Sequence, residues 1–300
     1  MSAAVTVRAA AKINLHLGVG APREDGFHPL DTVYQAVGLY DDVTADRAHG
    51  WSVETRLANY LQGAFLPEAG ANIVDAVGRR MAPDGDPKAQ VEIRKSIPIA
   101  GGMAGGSADA AAAMVALDRL WGLHTSDEEM LAIAAELGSD VPFALLGGSA
   151  HGGGRGELVT PLVDNGDYAW VVVPDETGLS TPAVYRHFDK LCPDAPAVPP
   201  PPHGVLEALS YGDPGRLAVA LHNDLEEAAV DLRPSLGALL ERGESEGALR
   251  GMVSGSGPTC VFLCESTDAA QHVAAALESV RRVALVAHGP VAGAHIAEVM

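Results

Sequence analysis

A glycine loop that leaves a predicted strand and runs straight into a helix constrains this chain more than any other stretch. It reads Pro98-Ile99-Ala100-Gly101-Gly102-Met103-Ala104-Gly105-Gly106-Ser107-Ala108-Asp109. A strand is predicted over 91–97, and an alanine-rich helix over 107–120, where Met114, Leu117 and Leu120 recur at helical spacing. The first amides of a helix lack partners within it, and the helix dipole places partial positive charge there. Glycines let the backbone come close to a ligand, so the loop can cradle phosphate. The plainer alternative is a mobile loop capped by Ser107 or Asp109, and the loop alone leaves both open. It contains neither the GxxxxGK[ST] of P-loop enzymes nor the GxGxxG of dinucleotide binders. Asp109 would repel phosphate if it faced the cradle, and is expected to point sideways and stabilise the helix start.

The 300 residues allow one large domain or two ordinary ones, and 47% hydrophobic residues suffice for a substantial core. Against 20 Lys and Arg stand 39 Asp and Glu, a formal net charge of −19. A nucleic-acid binder needs a basic footprint, so no nucleic-acid partner is expected, and an anionic substrate must be held by a local site. Cys192, Cys260 and Cys264 are too few and too oddly spaced for a disulfide framework or a zinc site. Cys260 and Cys264 flank Val261-Phe262-Leu263 and read as part of a buried strand. Residues 1–11 hold no apolar core of signal-peptide length, and no stretch approaches the roughly 20 apolar residues of a membrane span. A cytoplasmic protein without a membrane partner is expected.

Ile13, Leu15, Leu17 and Val19 alternate with Lys12, Asn14, His16 and Gly18. That period predicts a strand with one buried face and one face open to something polar. Further strands are expected over 32–39, 169–173, 259–263 and 283–287. A second helix is expected from the capping pattern Ser126-Asp127-Glu128-Glu129 to Gly138, with Leu131, Ala134 and Leu137 as its core stripe. The run from Pro193 to Pro202 excludes regular helix and central strand, and reads as an interdomain linker or a surface excursion. Strands, then helices, then a mixed half imply an α+β fold in two lobes, 1–160 and 161–300.

Three other places carry chemistry. Asp140 lies between Gly138-Ser139 and Val141-Pro142, held in a tight turn as a helix cap or as a general base, and spacing alone favours the cap. Lys12 and Asn14 share the polar side of the first strand. Such a lysine is usually solvated, but near a carboxylate it would keep the acid ionised and stabilise charge on an attacking oxygen. Asp25-Gly26-Phe27-His28 is a turn suited to stacking on and hydrogen-bonding a flat ring, and Met252 to Thr259 forms another glycine loop before a strand. Each taken singly reads equally well as a plain turn.

Together these pieces resemble the kinase superfamily named after galactokinase, homoserine, mevalonate and phosphomevalonate kinases. The matches are Ala11-Lys12-Ile13-Asn14, Pro98 to Asp109, and Ser254 to Thr259, in the family's order and spread over nearly the whole chain. The resemblance implies a two-lobed fold, its N-terminal lobe like a ribosomal-protein domain and its C-terminal lobe an α/β sandwich. Lys12-x-Asn14-x-x-Leu17, Asp25-Gly26-Phe27-His28-x-Leu30, Leu137 to Phe143, and Asn223-Asp224-Leu225-Glu226 narrow it further. They resemble the members that phosphorylate the 2-hydroxyl of a cytidine-diphosphate-linked methylerythritol, in the non-mevalonate route to isoprenoid precursors.

By that resemblance Asp140 is the base and Lys12 its electrostatic support, while Pro98 to Ala108 wraps the phosphates of ATP and Asn72 lines the adenine pocket. Asn14 and Thr181 belong to the substrate site. His28 pairs with the cytosine edge, and Phe27 and Tyr185 stack on its faces. Magnesium comes with ATP, and Ser107 is its one candidate protein ligand. The enzyme is expected to be a monomer or homodimer. Phe27 stands where tyrosine is common in the family, and Ala100 and Ala104 replace glycines, which restricts the loop's backbone. The rival readings are another alcohol kinase of the superfamily, an RNA-binding protein disfavoured by its charge, and a nicotinamide dehydrogenase lacking its fingerprint.

Overall fold

A computed structural model describes residues 4–62, 70–99, 101–175, 177–280 and 283–297. In chain order the first half runs β1 (Val5–Val19), β2 (Leu30–Arg47), β3 (Trp51–Leu57), α1 (Ile73–Met81), β4 (Ala89–Lys95), α2 (Gly105–Trp121), α3 (Asp127–Leu137), α4 (Val141–Leu146), β5 (Ser149–Gly153) and β6 (Leu158–Pro161). The second half runs β7 (Tyr168–Val173), α5 (Thr181–Leu191), α6 (His203–Tyr211), α7 (Pro214–Ala220), β8 (His222–Asn223), α8 (Glu226–Leu232), α9 (Ser235–Ser245), β9 (Arg250–Val253), β10 (Cys260–Cys264), α10 (Thr267–Glu278), β11 (Leu285–Gly289) and β12 (His295–Ile296). Every predicted strand is present, β1 and β2 being much longer than their sequence signals.

The larger sheet has the order β12-β1-β2-β4-β3, with β5 on β2, β6 on β5 and β8 alongside β1. The smaller is the antiparallel sheet β11-β7-β10-β9. The cut at 160 passes through β6, and β8 and β12 return from the second half to pair with β1. Alanines allow α2 to lie close on the larger sheet, and Ala110 to Ala113 are wholly buried there.

β1 departs from the clean alternation expected. The register with β2 shifts between Asn14 and His16, a bulge that turns the side chains over. Ile13 and Leu15 therefore pack into one core with α2, while Leu17 and Val19 enter a second core with Val171, Val173 and Phe188. The polar side is not open to solvent either, for Lys12, Asn14 and His16 are all buried.

Smaller contacts bind the halves. Gln35 of β2 donates to Asp164 at 2.9 Å, and its Oε1 accepts the Trp170 indole N–H at 3.0 Å. The proline-rich run is a surface excursion inside the second half and not a linker between lobes. It crosses the end of β1, where the Pro196 carbonyl accepts the Ala21 amide at 2.8 Å. A Cβ on Gly18 would sit 3.0 Å from Pro199, so the excursion lies flush only because that residue is glycine.

Candidate active site

The glycine loop joins β4 to α2, and the helix begins at Gly105, two residues before Ser107. Ala104 holds the cap position with φ 55° and ψ 34°, and no side chain caps the helix. The capping alternative for Ser107 and Asp109 is thereby removed, and the first-turn amides are left to a ligand. Ser107 is half-buried in that turn, and Ala108 lies against the core. Asp109 points sideways as expected, though into a buried cluster with Lys95. Pro98, Ile99 and Gly101 to Gly106 are in place, and Ala100 lies outside the described residues.

The late glycine loop closes over the first. A Cβ on Gly102 would come 2.4 Å from the Ser254 carbonyl, and one on Gly101 would come 2.5 Å from Thr259 Oγ1. Gly102 also has φ +76°, so glycine is required twice over. Gly255, with φ +57°, would place a Cβ 3.4 Å from Asn14 Oδ1 and 3.6 Å from Lys12 Nζ. The Lys12 amide in turn donates to the Met103 carbonyl at 3.2 Å. Three stretches far apart in sequence thus meet at the polar side of β1.

Lys12 Nζ donates to Asn14 Oδ1 at 2.8 Å and lies 3.9 Å from Asp140 Oδ2. Asn14 passes the bonding on, its Nδ2 donating to Thr32 Oγ1 at 2.8 Å. Asp140 stands at the cap position of α4, yet its side chain makes no capping bond. The carboxylate faces Lys12 instead, which removes the plainer reading. Tyr34, missed by the sequence reading, lies beneath the pair with its ring 5.6 Å from Lys12 Nζ. Burial raises its hydroxyl well above the ordinary phenol range, and the charge of Asp140 and a hydrogen bond to it add to the rise.

A second cluster adjoins this one. His28 is buried, bonded through Nε2 to Asp189 Oδ1 at 2.8 Å, with the Tyr185 ring centroid 4.9 Å away. Burial raises the Tyr185 hydroxyl, and the charge of Asp140 raises it further. Phe27 is half exposed, with the Arg155 guanidinium 5.0 Å above its ring. Thr181 opens α5 and bonds Ser256 of the late loop, Oγ to Oγ, at 2.8 Å. Asn72 is engaged elsewhere: its Oδ1 accepts the Val74 amide and its own amide donates to Asp75, a complete capping box at the start of α1.

The motif Asn223-Asp224-Leu225-Glu226 braces the late loop. Asn223 Nδ2 donates at 2.8 Å to the carbonyls of both Val253 and Gly255. Glu226 accepts the Val253 amide at 2.8 Å, and Asp224 accepts that of Val19 at 2.8 Å.

Known proteins resemble this chain over most of its length. The model of the GHMP kinases N terminal domain matches residues 66–148, and that of the GHMP kinases C terminal matches 205–282. A protein of Nocardioides sp. named 4-diphosphocytidyl-2-C-methyl-D-erythritol kinase is 64% identical over 97% of this chain and 99% of its own length. One of the same name from Clavibacter michiganensis is 46% identical over 97% of this chain and 96% of its own. The crystal structure of a 4-(cytidine 5'-diphospho)-2C-methyl-D-erythritol kinase superposes with a TM-score of 0.78 at 29% identity, over 95% of this chain and 99% of that one. A homoserine kinase from Cytophaga hutchinsonii shares the fold, with a TM-score of 0.69 at 20% identity over 99% of this chain and 98% of that one.

Proposed function

The chain belongs to the GHMP kinases, and within them to the 4-diphosphocytidyl-2-C-methyl-D-erythritol kinases, and from that membership we propose the division of labour in its cleft. The reaction is ATP-dependent phosphorylation of the 2-hydroxyl of the cytidine-diphosphate-linked alcohol, a step in the non-mevalonate supply of isoprenoid precursors. Asp140 takes the hydroxyl proton. The freed oxygen bonds to the γ-phosphorus as the bond from that phosphorus to the β,γ-bridging oxygen breaks, and ADP leaves. Lys12 stabilises charge on the attacking oxygen. Such a transfer needs positioning and charge neutralisation more than covalent help.

The nucleotide's phosphates are held by residues 98–108, whose helix start is uncapped. His28, fixed by Asp189, meets the edge of cytosine, while Phe27 and Tyr185 flank its faces, with Asn14 and Thr181 nearer the reacting end. Asn72 borders the adenine end. Magnesium, arriving on the phosphates, would neutralise their charge. Among the described residues no cluster of three or more His, Cys, Asp or Glu side chains suits a metal, and Ser107, in the first turn of α2, is the candidate ligand from the protein. No helix of the described residues is long and apolar enough to cross a membrane.

The observation that carries this reading is the Lys12–Asp140 pair lying against both glycine loops. Release of ADP, followed with the cytidine-linked alcohol, homoserine and mevalonate offered separately, tests it. Turnover with the cytidine-linked alcohol alone is expected, and preference for either other acceptor would refute the assignment.

A further inference from the structure

Both ends of the first glycine loop are fastened to one buried point. Lys95, the last residue of β4, donates its ammonium to Asp41 Oδ2 at 2.6 Å and to Asp109 Oδ2 at 2.7 Å, with the Gly105 carbonyl at 3.4 Å. Asp41, from β2, accepts the amides of Ser96 and Ile97 on its other oxygen, at 2.6 and 2.8 Å. The Tyr60 hydroxyl donates to the Ser96 carbonyl from the outer side. Residues 95–97 enter the loop here, and Gly105 and Asp109 leave it here. Asp41, Lys95 and Asp109 are 0%, 7% and 3% exposed.

Two carboxylates and one ammonium would leave a negative charge in a place without water, which is costly. A proton held on one carboxyl makes the cluster neutral. Burial pushes Asp109 well above the ordinary carboxylate range, against the pull of Lys95 and with the Asp41 charge adding to the rise. Its second oxygen, Oδ1, is buried with no hydrogen-bond partner among the described residues. A neutral carboxyl tolerates that at lower cost than a carboxylate. The loop between the two ends holds Gly101 and Gly102, a backbone with little stiffness of its own. Amides stabilise phosphate charge best when already aimed, so something outside the loop must fix its ends.

Taking that loop as the nucleotide's cradle, as assigned above, we propose that Asp41, Lys95 and Asp109 form a clasp that holds its ends in the shape that receives the phosphates. All three are positioning residues for phosphoryl transfer. Either carboxylate alone can balance Lys95, and an asparagine in place of one can still accept its hydrogen bond, so the clasp fails when both carboxylates are lost or when one tie is removed outright.

The test varies ATP and the alcohol separately in steady-state kinetics of Asp41→Asn, Asp109→Asn and the double variant. Each single change is expected to raise KM for ATP about two- to threefold, and the double change at least about thirtyfold, with KM for the alcohol within about twofold. A double effect no larger than the product of the singles, or a rise shared equally by both substrates, overturns the clasp. Should the double variant not fold, Asp109→Ala keeps the Asp41–Lys95 pair and replaces it. A rise of about tenfold in KM for ATP alone supports the clasp, and an unchanged value overturns it. Equilibrium dialysis of ATP gives the same comparison without an acceptor, so an error in the assigned alcohol would alter turnover and leave this result standing.

Discussion

At the scale of single residues, the site centres on a carboxylate that holds a cap position without capping a helix. Asp140 occupies a cap position, makes no capping bond and faces Lys12. A general base contributes about 10²–10⁴-fold, so Asp140→Ala is expected to lower turnover at least about a hundredfold while ATP binding persists. Rapid-quench turnover beside nucleotide dialysis checks both halves, and near-normal turnover would remove Asp140 from the base role. A similar loss is expected for Lys12→Ala. These two residues were legible because each sits in a short motif. Tyr34 was not, because it reaches the pair by facing Asn14 across two strands, a register that no local pattern announces. Asp189, 161 positions from the histidine it holds, was hidden for the same reason.

At the scale of elements, the loops are held by backbone conformations that only some residues accept. Ala104 sits at φ 55°, a left-handed conformation costing an L-residue with a Cβ roughly 1–2 kcal/mol. Glycine would relieve that cost and give back part of it through a freer unfolded chain. Ala104→Gly is therefore expected to stabilise the protein by about 0.5–1 kcal/mol in urea unfolding, and a lower midpoint would contradict the strain. The sequence marked this position as one where alanine restricts the loop, and the restriction proves to be a left-handed cap at the start of α2. The bulge in β1 could not be read in the same way. Its apolar residues alternate without a break, and only the shifted pairing with β2 turns Leu17 and Val19 away from Ile13 and Leu15.

At the scale of the whole molecule, acid sensitivity follows from where β1 ends. Burial, with His222 beside it, pushes the His16 imidazole down to about 4. Unfolded histidine takes its proton near pH 6.5, so the unfolded chain gains protons first as acid is added. The stability due to His16 is complete above pH 6.5 and is lost as pH falls towards 4, by about 3 kcal/mol at most. His222, bonded to Asp224, is raised and works in the opposite sense, its contribution being present at low pH and lost as pH rises. His16→Gln should flatten the fall in thermal midpoint between pH 6.5 and 4.5, and an unchanged slope would place the acid sensitivity elsewhere. The division into two lobes was legible from element order. The return of β8 and β12 was not, since two-residue strands leave no periodicity.

A strand owned jointly by two interiors has a consequence for how such a gene can change. Severed near its midpoint, the first fragment would carry Leu17 and Val19 with nothing to roof them, and β1 would lose both neighbours on its outer edge. Recombination between relatives would then be tolerated where whole helices or surface turns are exchanged, and penalised where the crossover parts β1 from the aliphatic rows of β7. The halves are inherited as one.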